Sequence, residues 1–129
     1  MKIILFFYLI LLSFFVHSTS FDGYYFLSDK EDCDKYLIIQ IKTDFFKIYT
    51  LENNQKNKNL FLQGKLEILE DDLNKYLKMN QIEAIYYNSS FVIQNYGNSM
   101  NDYTYFNFCQ TKYLSFYKSD FDNNEADKK

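Results

Sequence analysis

Residues 36–51 read YLIIQIKTDFFKIYTL. Leu37, Ile39 and Ile41 alternate with Tyr36, Ile38, Gln40 and Lys42. Beyond Thr43-Asp44, the residues Phe46, Ile48 and Thr50 alternate with Phe45, Lys47, Tyr49 and Leu51. Successive side chains of an extended chain point to opposite faces, so period two with one face more apolar reads as a half-buried strand. Two such runs separated by a short polar pair form a hairpin.

The same grammar extends in both directions. GYYFL at 23–27 is a short apolar strand, and QIEAIYYN (81–88) and SFVIQNY (90–96) form a hairpin pair around Asn88-Ser89. YTYFNFCQ (103–110) and KYLSFYK (112–118) alternate again. The polar run 52–59 (ENNQKNKN) has no apolar anchor and reads as an exposed loop, while GNSMND (97–102) is a turn cluster in which Gly97 supplies an awkward backbone angle. LFLQGKLEIL (60–69) has two readings. The preferred one is two strands broken by the acidic turn Glu70-Asp71-Asp72, with Gly64 at a bend or bulge. The alternative is a helix over 65–78, which puts Leu66, Leu69, Leu73, Tyr76 and Leu77 on one face but lacks a Ser or Thr N-cap. No alternation of strands with helices supports βαβ units. The expected class is all-β: a small antiparallel barrel or sandwich of about eight strands, with room for one short helix.

The N-terminus has Met1-Lys2, a nearly uninterrupted apolar run over 3–16, and the small residues Ser18 and Ser20. This is the pattern of a cleaved signal peptide, and the run is short of the roughly 18 to 20 residues that span a bilayer comfortably. The expected organisation is a signal peptide at 1–18, a single β domain at 19–118 and a flexible polar tail at 119–129. No stable membrane span is expected after cleavage. The expected location is periplasmic or secreted.

Of the 129 residues, 14 are basic and 17 acidic, a formal charge of -3; every basic residue is Lys, and Pro and Trp are absent. The net negative charge and the export signal exclude a nucleic-acid partner. The one histidine, His17, falls in the signal segment, so the mature chain has no Ser-His-Asp or Cys-His chemistry and none of the usual His-containing metal sites. The common Gly-rich phosphate motifs are missing too. The acidic residues Asp29, Glu31, Asp32 and Asp34 cluster in a polar stretch, where acids are normally ionised and solvated, without a calcium-loop pattern. No enzyme activity, cofactor or metal is expected. Cys33 and Cys109, an even pair in an exported chain, are expected to form a disulfide.

The remaining signals point to contact with another protein. Glu70, Asp71 and Asp72 supply charge, and Tyr96, Asn98, Asn101 and Tyr103 supply aromatic area and adaptable hydrogen bonds. Together they are the candidate binding residues. The expected function is an exported inhibitor or immunity-type protein that blocks a basic secreted enzyme or toxin. The alternative is a carrier of a small apolar ligand. Phe21-Asp22-Gly23-Tyr24-Tyr25 resembles the Gly-x-Trp start of lipocalins, with Tyr25 in place of the Trp and no matching downstream signature. That resemblance implies a barrel with a ligand cavity. Tyr24, Tyr25, Tyr36, Tyr49, Tyr105 and Tyr117 are candidate cavity-wall positions, set against the simpler reading that several complete an aromatic core.

Overall fold

The computed structural model describes residues 21–52 and 58–119. The expected signal peptide, the centre of the polar loop and the expected tail beyond Ser119 lie outside the described residues.

The chain forms β1 (Gly23–Leu27), β2 (Tyr36–Lys42), β3 (Phe45–Leu51), β4 (Asn59–Glu70), β5 (Lys75–Met79), β6 (Ile82–Tyr87), β7 (Ser90–Gln94), β8 (Tyr96–Asn98), β9 (Asn101–Thr104) and β10 (Tyr113–Ser119). Eight of them close an antiparallel barrel in the order β1-β10-β7-β6-β5-β4-β3-β2, and β8 and β9 form a separate hairpin. Apart from that insertion, every barrel strand pairs with its sequence neighbours, and β10 closes on β1. Of barrel and sandwich, the structure is the barrel.

The period-two pattern becomes an inside and an outside. Tyr25, Leu37, Ile39, Phe46, Ile48, Leu77, Met79, Ala84, Phe91, Ile93, Leu114 and Phe116 are buried in one core. Aromatic rings run through it: Tyr25 packs on Phe91 at 4.7 Å, and Phe91 stacks on Phe116 at 5.2 Å. A small barrel is filled by its own side chains. Of the tyrosines considered as cavity walls, Tyr25 is fully buried in this core, and Tyr36 is half-buried with its hydroxyl on the Leu27 carbonyl. Tyr24 and Tyr49 flank the Lys58 ammonium instead, at 5.4 and 4.8 Å. Tyr117 is exposed.

One alternative is settled and two features differ from the sequence reading. The helix alternative over 65–78 does not form. Leu66 pairs with Met79 and Leu69 with Tyr76 across β4 and β5, and Leu73 sits in the intervening turn, 90% exposed. Cross-strand burial of Leu66, Leu77 and Met79 in the shared core outweighs the helical periodicity. The bulge lies away from Gly64, which pairs regularly with Phe46. The register shifts between Ile48 and Tyr49 and leaves Phe61 as the extra residue. That bulge sets the Phe61 ring against Phe106 and Phe108, at 5.6 and 5.7 Å. Finally, no strand spans 103–110: β9 stops at Thr104, and the chain folds over one barrel end. Among the described residues the one helical element is a 3-10 turn, Lys30–Asp32, capped by the Asp29 carboxylate, which accepts the Glu31 N–H.

Asn95 holds the crossing segment. Its Oδ1 accepts the Phe106 N–H at 2.8 Å, and its Nδ2 donates to the carbonyls of Phe106, Cys109 and Thr111 at 3.0, 3.3 and 3.5 Å. Phe106 is thereby pressed fully into the core. Cys33 and Cys109, 76 positions apart in sequence, are disulfide-bonded, with Cα atoms 3.9 Å apart. Backbone bonds Asp34 N–H to Phe108 O and Gln110 N–H to Asp32 O flank the bridge. The β1–β2 connection and the β9–β10 segment are thus clamped together. A disulfide is compatible with an oxidising compartment.

Candidate functional site

The acidic turn is built by one of its own carboxylates. Asp71 Oδ1 accepts the Leu73 and Asn74 N–H groups at 2.9 and 2.7 Å, and Oδ2 accepts the Tyr76 hydroxyl at 3.1 Å. The two backbone bonds, aided by the Tyr76 hydroxyl, hold the Asp71 carboxyl below the usual aspartate range. Asp71 is therefore occupied with its own turn and is not simply a surface charge. Glu70 lies 3.9 Å from the Lys75 ammonium. Asp72 is exposed and, among the described residues, makes neither a hydrogen bond nor an ion pair.

The Tyr/Asn loop is the β8–β9 hairpin. Asn98 Oδ1 accepts the N–H groups of Met100 and Asn101, both at 3.0 Å, so this carboxamide shapes the tip. Asn101 pairs with Asn98 in the ladder and is exposed. Gly97 is needed for close approach and not for an awkward angle: the positive-φ glycine of the chain is Gly23. A Cβ at Gly97 would collide with the Asn101 carbonyl and come within 2.8 Å of the Tyr103 ring. Tyr96 and Tyr103 are half-buried. Tyr103 leans on Tyr105 with ring centroids 4.8 Å apart, and the Tyr105 hydroxyl donates to Gln81 O at 2.9 Å. These contacts fasten the hairpin to the barrel.

The two motifs begin at different barrel ends. The acidic turn shares its end with the Thr43-Asp44 and Asn88-Ser89 turns, whereas the hairpin rises from the end crossed by 95–112. The outer wall joins them. A groove of about 220 Å³ is lined by Tyr76, Glu83, Ile85, Val92, Gln94, Tyr103, Tyr105 and Tyr113. A shallower hollow of about 300 Å³, lined by Leu69, Glu70, Asp71, Tyr76 and Glu83, continues it to the turn. Tyr76 and Glu83 belong to both. Ile85 and Val92 are cross-strand partners and form an apolar floor, 49% and 37% exposed. Burial raises the Tyr105 phenol above its ordinary value, and the neighbouring Tyr103 and Glu83 push the same way.

The structure thus brings Tyr103 into the groove and Glu70 and Asp71 to its continuation. Asn98 and Asn101 remain at the hairpin tip, Tyr96 lines neither hollow, and Asp72 lines a separate hollow of about 320 Å³ with Glu70, Asp71, Lys75 and Tyr87. Sequence reasoning missed Tyr76, Glu83, Ile85, Val92, Gln94 and Tyr113 as groove residues. One signal was available in β6, where Ile85 shares the water-facing alternation with Glu83 and Tyr87 while Ala84 takes the core face. With Val92 opposite it on the neighbouring strand, Ile85 forms a small exposed apolar patch.

Comparison with family models, with curated proteins and with solved structures found no match. The class is defined by the fold alone: a side-chain-filled, up-and-down β-barrel, clamped at one end by a disulfide and carrying an aromatic groove on its outer wall.

Proposed function

We propose that this chain is an exported protein-binding inhibitor of the immunity type, acting in the periplasm or outside the cell by blocking a basic secreted enzyme or toxin. The observation that carries the reading is the outer groove, where Tyr76, Tyr103, Tyr105 and Tyr113 surround an exposed Ile85–Val92 floor beside Glu83. Tyrosine-rich concave surfaces with few charges suit protein contact, because the rings supply large area at low conformational cost. The formal charge of -3 favours a basic partner and speeds its encounter. Action is by occupancy, without turnover and without a cofactor.

The test is capture of exported proteins by the folded barrel, followed by assay of the captured enzyme. The expected result is one basic partner whose activity falls on binding. Tyr103→Ala is expected to weaken the complex by about 2 kcal/mol, as for a central aromatic anchor. Asp72→Asn, chosen because Asp71 builds the turn, is expected to slow association and flatten its salt dependence. Unchanged affinity and rates in both folded variants would remove this surface from the proposal. Retention of a small apolar ligand, with no protein captured, would favour the lipocalin-like carrier; the axial stack of Tyr25, Phe91 and Phe116 supports partner binding over that reading.

A further inference from the structure

We propose that the outer groove is a receptor for a single arginine side chain projecting from the protein partner. This inference rests on the inhibitor reading and names what its surface grips. The groove holds about 220 Å³, less than the roughly 300–1,000 Å³ of sites for drug-sized ligands. This part of the wall is sized for one long side chain, with the shallower hollow toward Asp71 open beside it.

The chemistry of the lining selects that side chain. An arginine has an apolar stem and a planar cationic head, and the groove offers a surface for each. The Ile85–Val92 pair forms a strip against which methylene groups can lie. Tyr76, Tyr103, Tyr105 and Tyr113 line the groove around it. A cation is attracted by the negative face of an aromatic ring, and a guanidinium also stacks on it. Glu83 supplies the carboxylate, whose two oxygens match the guanidinium fork.

The neighbouring protein groups leave that carboxylate available. Glu83 stands opposite Lys78 in the β5–β6 ladder, yet no ion pair forms between them among the described residues. Tyr76 is anchored through its hydroxyl to Asp71, and Tyr105 through its hydroxyl to Gln81 O, so two walls are held in place before anything binds. Gln94 Nε2 donates to the Tyr96 carbonyl at 3.2 Å, which ties the β7 end to the hairpin. Lys112 already lies 5.8 Å from the Tyr113 ring centroid. This ring therefore already holds a cation of the protein itself, and Lys112 is the internal competitor at Tyr113. Lysine from a partner fits less well than arginine, because its compact, strongly hydrated ammonium cannot stack or bind a carboxylate in two places.

The experiment titrates the folded protein, labelled at its tyrosine rings, with Nα-acetyl-arginine methylamide, the matching citrulline compound and the matching lysine compound. Citrulline keeps the shape of arginine and loses the charge. The expected result is saturable NMR shifts confined to Tyr76, Tyr103, Tyr105 and Tyr113 at millimolar arginine, with citrulline about tenfold weaker or worse and lysine intermediate. Glu83→Gln is expected to weaken arginine binding by about tenfold and leave citrulline binding unchanged. Equal binding of arginine and citrulline would overturn the proposal. So would an absence of saturation, or shifts centred on Tyr24 and Tyr49 beside Lys58. If the probe fails while the barrel still captures and inhibits an enzyme, the arginine receptor falls and the inhibitor reading stands. If arginine saturates the groove but no exported protein is captured, the receptor stands and the inhibitor reading falls.

Discussion

Tyr25 buries its ring against Phe91 and donates its hydroxyl to the Phe21 carbonyl at 2.8 Å. Burial raises this phenol well above its ordinary value, and the adjacent Tyr86 and Asp22 push it further. The native state therefore keeps a proton that the unfolded chain gives up. The resulting stability is complete below the ordinary tyrosine pKa of about 10 and is lost as pH climbs toward the folded value. Tyr25→Phe is expected to cost about 1 kcal/mol at neutral pH through the lost hydrogen bond. It should also flatten the alkaline limb of the stability curve. Urea unfolding at pH 7 and above pH 10 tests both; an unchanged alkaline limb would refute the assignment. Asp71 behaves in the opposite sense. Its carboxyl is held below the usual range, so its contribution is present above the ordinary aspartate pKa of about 3.9 and is lost as pH falls through the lower folded value. Asp71→Asn retains an oxygen for the turn but loses the charge, and is expected to lessen the acid sensitivity of the Tyr76 environment. A Tyr76 ring signal with the same acid dependence in wild type and variant would show that Asp71 does not hold that ring.

The segment between β7 and β10 depends on Asn95, among the described residues the only buried side chain with both an amide donor and an amide acceptor. Its partners are backbone groups of Phe106, Cys109 and Thr111, which have no ladder of their own. Asn95→Ala is expected to lower stability by about 1 to 3 kcal/mol and to remove hydrogen-exchange protection at the Phe106 amide. Asn95→Asp is expected to be worse despite equal size, because a carboxylate cannot donate to the three carbonyls and brings a buried charge. Denaturant unfolding with amide exchange gives the ranking. An aspartate variant as stable as wild type would contradict the hydrogen-bond account. The consequence reaches the groove, since Tyr103 and Tyr105 lie on the strand and turn that lead into this segment.

Across the whole molecule, the barrel closes through β1 and β10, while the disulfide ties the connection leaving β1 to the segment entering β10. Linking residues 76 apart in sequence stabilises by about 4 to 5 kcal/mol in the chain-entropy model. Cys109→Ser is expected to lower stability by roughly 2 to 5 kcal/mol. Non-reducing peptide mapping of the folded protein should recover Cys33 and Cys109 in one cross-linked species. Two free thiols in protein folded under oxidising conditions would contradict the pairing, and an unchanged unfolding midpoint in the serine variant would contradict its energetic role.

The alternation in 36–51 determined two strands, their inner faces and the hairpin between them, because strand periodicity is local and each buried residue declares itself by type. The same logic placed β1, β6, β7 and β10 and anticipated the all-β class. It faltered over 65–78, where Leu66, Leu69, Leu73, Tyr76 and Leu77 satisfy a helical period equally well; only pairing of β4 with β5 decides which of them face the core. It faltered again at 103–110, because alternation continues through Phe106 and Phe108 although Asn95, distant in sequence, captures the backbone. The acidic turn and the Tyr/Asn loop were legible as polar, contact-suited stretches. The groove between them was not, since Tyr76, Glu83, Val92 and Tyr113 come from four different strands. Side-by-side pairing of β5, β6, β7 and β10 puts them on one wall, and strand order is a property of the folded chain rather than of any one segment.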